Sequence, residues 1–260
     1  FHQTFIKRNQ WVIVPVNNGW WLKKFAYDSR EKWLNIFKRH LHNDEYAVAA
    51  SLIAGYTDDI DRDLMTAYAN TGVLHVLSVS GMHVAIIYIA MSRMLFFMRR
   101  KRFLLILKNT AIILFLWYYA CLTGLSPAAV RATFMLSFVI IGEMLNRSNN
   151  IYNTLAVSAF ILLIINPYYI TDIGFQLSYL SLLGLIVMQK SIYSCWEPNN
   201  RIVNYIWELT ATSIAAQIAV LPLSLFYFHR LPNYFIPANW IVIPLSTFTI
   251  YAGIVLLNCS

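Results

Sequence analysis

The stretch NTAIILFLWYYACLTGLSPAAV, residues 109–130, runs for 22 positions without a charged side chain. About 18 such residues are enough to cross the hydrocarbon core of a bilayer as a helix. Similar uncharged runs occupy 64–92, 148–171, 209–228 and 231–260. Across all 260 residues, 58% are hydrophobic and 12% charged, with a mean hydropathy of +0.54. Soluble domains average about 45–50% apolar and about 25% charged. A soluble fold of this size cannot bury so much apolar surface, and disorder is excluded. The chain reads as an all-α integral membrane protein.

Hydropathy places seven spanning segments near 73–97, 103–122, 127–145, 152–166, 173–189, 203–226 and 236–257. Gly and Pro punctuate them at Gly81, Gly124, Pro127, Gly142, Pro167, Gly174, Pro222, Pro237 and Pro244. Kinked or discontinuous members are therefore expected, since a broken helix survives in a membrane where protein or a water-filled cavity satisfies the freed backbone.

Charge sets the expected orientation. Residues 1–63 hold 9 Lys/Arg and 8 Asp/Glu, whereas residues 64–260 hold 11 and 4. The cluster Arg99-Arg100-Lys101-Arg102 sits in the short loop between the first two spans and marks the cytoplasmic side. Alternation then puts Arg147, Lys190 and Arg201 inside, with Asp172 and Arg230 outside. The N-terminal 63 residues are expected outside.

The domain reading follows. Residues 1–19, with the β-prone WVIVPV at 11–16, read as the tail of a preceding extracytoplasmic domain. Residues 20–70 read as amphipathic, interfacial helices. Over 20–41, Trp21, Leu22, Phe25, Trp33, Ile36 and Phe37 gather opposite most of the Lys and Arg, as in a helix lying among lipid headgroups. A second helical region over 44–70 is broken by Asp58-Asp59-Ile60-Asp61. Residues 71–260 form the polytopic membrane domain.

Polar residues inside spans are costly and point to pathways or partners. His75, Ser78, Ser80, Gly81 and His83 crowd the first span. They read as a polar pathway or structural cluster, with a metal site and a Ser80 nucleophile activated by His83 as weaker alternatives. Arg131, one turn beyond Pro127, either snorkels to headgroups or faces a cavity. Asp172 suits a helix N-cap, and Gln176, four residues on, must hydrogen-bond within the protein. Asn239, between Pro237 and Pro244, reads as the opening of a discontinuous last helix. Cys121, Cys195 and Cys259 stand far apart with no zinc-ligand spacing. No metal or cofactor is expected.

Four ordered motifs carry a family resemblance. Gly72-Val73-Leu74-His75-Val76-Leu77-Ser78-Val79-Ser80-Gly81-Met82-His83 resembles the G-x-x-H-L-L-x-x-S-G-L-H signature of the ComEC competence domain. Leu122-Thr123-Gly124 through Ala129-Val130-Arg131-Ala132 is similar to its second motif, G-x-x-x-S-x-x-R-A. Asn166-Pro167 followed by Asp172, Gly174-Phe175-Gln176-Leu177-Ser178-Tyr179 resembles its third, with Tyr179 where Phe is usual. Asn239 with Pro244 resembles the closing N-x-x-x-x-P. The resemblance implies an inner-membrane channel that carries single-stranded DNA into the cytoplasm during natural transformation, working with other uptake proteins and not itself an enzyme. It also implies that His75, Ser78, Ser80, Gly81, His83, Arg131, Gln176, Ser178 and Asn239 line the channel or contact DNA.

The residues themselves agree on the physics, because a strand of phosphates crossing lipid needs a wet, positively biased lumen. They contain no nucleotide-binding loop to power transport. Two other readings stand beside this one: a secondary transporter of a small solute, and an intramembrane hydrolase built on Ser80 and His83.

Overall fold

The computed structural model describes residues 21–70, 79–145, 150–229 and 234–259. The expected WVIVPV tail, His75, Ser78, Arg147 and Arg230 lie outside the described residues. Within them the chain is helical, with no strand. The helices are α1 (Trp21–His40), α2 (Asn43–Ala54), α3 (Arg62–Asn70), α4 (Gly81–Met94), α5 (Arg102–Leu122), α6 (Pro127–Met144), α7 (Ile151–Ile165), α8 (Ile173–Tyr193), α9 (Arg201–Phe228) and α10 (Phe235–Cys259). Two 3-10 turns, Phe96–Arg100 and Pro167–Thr171, precede α5 and α8.

Local chemistry sets the helix starts. Ser126 Oγ accepts from the Ala129 amide at 3.3 Å, and Pro127 supplies a first residue that has no amide to satisfy. Asn150, Asp172 and Asn200 cap α7, α8 and α9 through their side-chain oxygens. Gly55 ends α2 at φ 67°, with its amide on Ser51 O and that of Tyr56 on Ala50 O. A Cβ at Gly55 would also stand 3.2 Å from Val79 Cγ2 and 3.3 Å from Thr123 O, so glycine is needed twice over. The acidic break at 58–61 falls between α2 and α3, as expected.

Among the described residues five helices are long and apolar enough to cross a membrane: α5, α6, α8, α9 and α10 over Phe235–Gly253. The other two expected spans are shorter apolar helices. The first was expected to be helical from 73, but Ser80 is extended at φ −106°, ψ 170°, and α4 begins only at Gly81. Its 14 residues rise about 21 Å, against about 30 Å of hydrocarbon. α7 has 15 residues and gives way to the 3-10 turn at Pro167. Asn239 does not open a broken helix, because α10 is continuous from Phe235 through Pro244. Pro222 likewise lies inside α9.

Apolar side chains face outward along the bundle, including Leu114, Phe160, Ile164, Val187, Phe226, Ile241 and Phe248. In a membrane these contact lipid. The interior is built around α6, which packs against α4, α5, α7 and α8. Val84, Ile87, Ile112, Leu116, Ala129, Ile140 and Ile250 form the main buried apolar cluster. α8 and α9 make a long hairpin closed near its turn by Tyr193 Oη donating to Asn204 Oδ1 (2.7 Å) and Trp207 Nε1 donating to Tyr193 O (2.9 Å).

α1 packs on α5 and α2, and α2 on α10. Of the apolar face expected on α1, Phe37 is buried in a second cluster with Tyr46, Ala50, Leu52 and Ile53. Trp21 and Phe25 remain exposed. Arg30 reaches Gly124, at the C-terminal end of α5, while the basic cluster sits at its N-terminal end. The N-terminal helices and the Arg99–Arg102 loop therefore occupy opposite ends of α5.

Candidate functional site

α6 carries Arg131 near its N-terminal end, and the residue is only 7% exposed. Its Nε has no hydrogen-bond partner among the described residues. The guanidinium is aimed at the first turn of α8: a Cβ on Gly174 would lie 3.7 Å from Arg131 Nη2 and 3.9 Å from Nη1. The same point is 3.2 Å from Asp172 Oδ1, so glycine makes room for both side chains. Asp172 Oδ1 accepts from the Phe175 amide at 2.7 Å and caps α8. A cation at the positive end of a helix dipole is unfavourable alone. The Asp172 carboxylate, which shares the space above Gly174 with the guanidinium, offsets that repulsion.

Aromatic rings form the wall beside this cation. Tyr169 stacks on Phe175 at 6.3 Å between centroids, and Phe175 meets Tyr179 at 4.5 Å. Tyr179 Oη shares a hydrogen bond of 3.1 Å with Ser158 Oγ, tying α7 to α8. Gln176 satisfies its amide inside the protein, as expected, with Nε2 donating to Ile170 O at 2.7 Å. That bond fixes the 3-10 turn against α8, so Gln176 positions the site. Ser178 is half-buried on α8.

On another side of α6, Gly81 approaches Ala132, the residue after Arg131, with 3.4 Å between an added Cβ and the alanine Cβ. Ser80 and His83 meet at the start of α4. His83 Nδ1 accepts from the Ser80 backbone N–H at 2.9 Å and stands 3.0 Å from Ser80 Oγ. An amide can only donate, so this nitrogen is the acceptor. His83 thus fills, three residues after the N-cap, the place that Glu or Gln takes in a capping box. The lone pair that would activate a serine is engaged by the backbone.

Asn239 lies elsewhere, on the α9–α10 seam. Its Nδ2 donates to Ser213 Oγ at 3.0 Å, and Trp240 Nε1 donates to Thr210 Oγ1 at 2.9 Å. Asn239 Oδ1 is buried without a partner. The structure therefore gathers Arg131, Asp172, Gly174, Gln176 and Tyr179 at one end of the bundle and sets Gly81 and His83 against the neighbouring side of α6. Among the described residues no group of three or more His, Cys, Asp or Glu could hold a metal ion.

Sequence reasoning missed several buried polar residues. Lys108 (4% exposed) and Asn109 (1%) sit on α5, and Thr133 (0%) on α6. Neither Asn109 Nδ2 nor Thr133 Oγ1 has a hydrogen-bond partner. The signal available was Lys108-Asn109 itself, a polar pair inside an otherwise apolar helix.

The Competence protein family matches residues 52–260. The chain is also 29% identical over 221 residues to ComE operon protein 3 of Bacillus subtilis (strain 168). That alignment covers 84% of this chain and 27% of the relative, so the chain spans about a quarter of that protein's length. No solved structure matches it. With the family match covering most of its length, from within α2 to its last residue, the chain belongs to the Competence protein family.

Proposed function

We propose that this chain is the membrane channel domain that passes single-stranded DNA across the bacterial inner membrane into the cytoplasm during natural transformation. The observation that carries this reading is Arg131, a cation 7% exposed with an unpartnered Nε. Charge held at such a position in a membrane protein belongs to a partner, to water or to a transported ion. A guanidinium suits phosphate because its planar fork matches two oxygens. Asp172 keeps the contact transient, since conduction needs binding weak enough to release. The half-buried rings of Tyr169 and Tyr179, backed by the buried Phe175, offer edges and faces past which bases can slide without sequence preference.

In this reading the bilayer and other uptake proteins are the partners, and the chain moves DNA without covalent chemistry. The capped state of His83 favours this over a hydrolase.

Arg131→Ala should nearly stop DNA uptake while the protein still inserts, and Arg131→Lys should reduce it partly by keeping charge without the fork. Uptake and protein abundance are to be measured in the same cells. Per-molecule uptake unchanged in Arg131→Ala would mean that the residue serves folding alone, and the channel assignment at this position would fall.

A further inference from the structure

A half-open recess of about 340 Å³ lies between α1 and the segment from α2 to Tyr56, lined by Tyr27, Arg30, Glu31, Asn35, Lys38, Tyr46 and Tyr56. Small-molecule sites begin at about 300 Å³. Its walls pair cations with aromatic faces. The Arg30 guanidinium carbon stands 4.7 Å from the Tyr27 ring centroid and 5.8 Å from that of Tyr56. Lys38 Nζ stands 5.4 Å from the Tyr46 ring.

The three tyrosines differ in access. Tyr46 is 6% exposed and forms the floor, hydrogen-bonded to Asp59. Burial, helped by Asp59, pushes its phenol up to about 12, so it stays neutral. Tyr27 is 51% exposed, with Arg30 over one face of its ring, which leaves the other face for a ligand. A Cβ on Gly124 would lie 3.6 Å from Arg30 Nη1. The recess therefore opens beside the turn that begins α6, the helix that carries Arg131.

We propose that this recess is a loading site for single-stranded nucleic acid, holding one unstacked nucleotide with its base on Tyr27 and its phosphate between Arg30 and Lys38. The proposal rests on the reading above that the chain passes a single strand, and it adds where that strand is first held. Cations alone would suit any anion, including a lipid headgroup. An open ring set beside two cations matches a base joined to a phosphate, and every base offers a face to stack. The Asn35 amide supplies a donor and an acceptor for a base edge. Volume limits the site to one nucleotide, so a duplex, whose bases are stacked and paired, is excluded.

The test uses the full chain in phosphatidylcholine nanodiscs with a fluorescein-labelled oligothymidylate. Tyr27→Ala should weaken binding roughly tenfold while Tyr27→Phe binds as the parent does. Arg30→Gln and Lys38→Gln should each lower the slope of log affinity against log salt by about 0.7. An unlabelled duplex of the same length should compete poorly. Parental affinity in Tyr27→Ala, or equal competition by duplex, overturns the proposal. So does displacement of the oligonucleotide by phosphatidylglycerol with no effect of Tyr27→Ala, which assigns the recess to lipid. Strand passage into vesicles is followed in parallel. No passage by the parental protein, with Tyr27-dependent binding intact, defeats the channel reading but not this one. Passage by the parent with unaltered binding in the variants defeats this one alone.

Discussion

At the middle of α8, a Cβ on Gly184 would lie 2.5 Å from the Ala219 Cβ and 2.6 Å from the Ala215 carbonyl oxygen. At the first turn of the same helix, a Cβ on Gly174 would meet Asp172 Oδ1 at 3.2 Å and Arg131 Nη2 at 3.7 Å. The first glycine faces backbone of α9, which cannot step aside. The second faces the tips of two side chains, which can. Gly184 brings two helices together along the small residues Ala211, Ala215 and Ala219, a common solution where lipid supplies no hydrophobic drive for association. Gly174 leaves space that the Asp172 carboxylate and the Arg131 guanidinium fill. The middle of α8 is close-packed on α9, and its first turn leaves room for charge.

The sharpest way to break this contrast is to add bulk at Gly184. Gly184→Leu should separate α8 from α9 and leave almost no folded protein. Gly184→Ala should destabilise by ~1–3 kcal/mol, the usual cost of overpacking a filled interior. Thermal unfolding of the detergent-solubilised protein and its elution on gel filtration check both. An alanine variant that melts with the parent would show that the helices are not in backbone contact.

Gly174→Val tests the other half with a smaller effect. The side chain would press on Asp172 and Arg131 without meeting backbone, so abundance and melting should change little. DNA uptake per molecule should fall several-fold because the guanidinium is displaced. Loss of abundance in proportion to uptake would make Gly174 a packing glycine like Gly184.

The sequence already distinguished one glycine from the other only in part. Gly174 was singled out by its polar neighbours Asp172 and Gln176, whereas Gly184 sits in Leu-Leu-Gly-Leu, where nothing local announces a partner 31 residues away. Close approach depends on which helix lies opposite, and hydropathy carries no pairing. The same limit applies to Arg131: Pro127 places it one turn into a helix, but nothing local tells that it is buried against the first turn of α8. Helix length was overread at the first span because Val79 and Ser80 are as apolar or small as their neighbours. Hydropathy does not register that Ser80 turns extended and starts the helix afresh. Gln176 was read correctly as an amide that must bond internally, because that follows from cost alone.

The smallest effect is expected at Ser80. Its hydroxyl stands 3.0 Å from His83 Nδ1, the contact on which a hydrolase would depend. The same nitrogen is held at 2.9 Å by the Ser80 backbone N–H, which any residue at position 80 retains. Ser80→Ala therefore removes one of the two links and a helix cap, at a cost of about 1 kcal/mol. The protein should insert normally, and uptake per molecule should stay within about twofold by the corresponding factor of a small, shared stability loss. His83→Ala should do more, since it removes the ring that satisfies the Ser80 amide and empties a fully buried position. A hydrolase predicts the opposite ranking: both variants equally inactive, with a serine-directed fluorophosphonate labelling the parent and not Ser80→Ala. Such labelling would turn the helix cap into a nucleophile and shift the working chemistry from the α6–α8 end to the start of α4. With no labelling of the parent and His83→Ala the weaker of the two, Ser80 and His83 serve to start a short helix against α6.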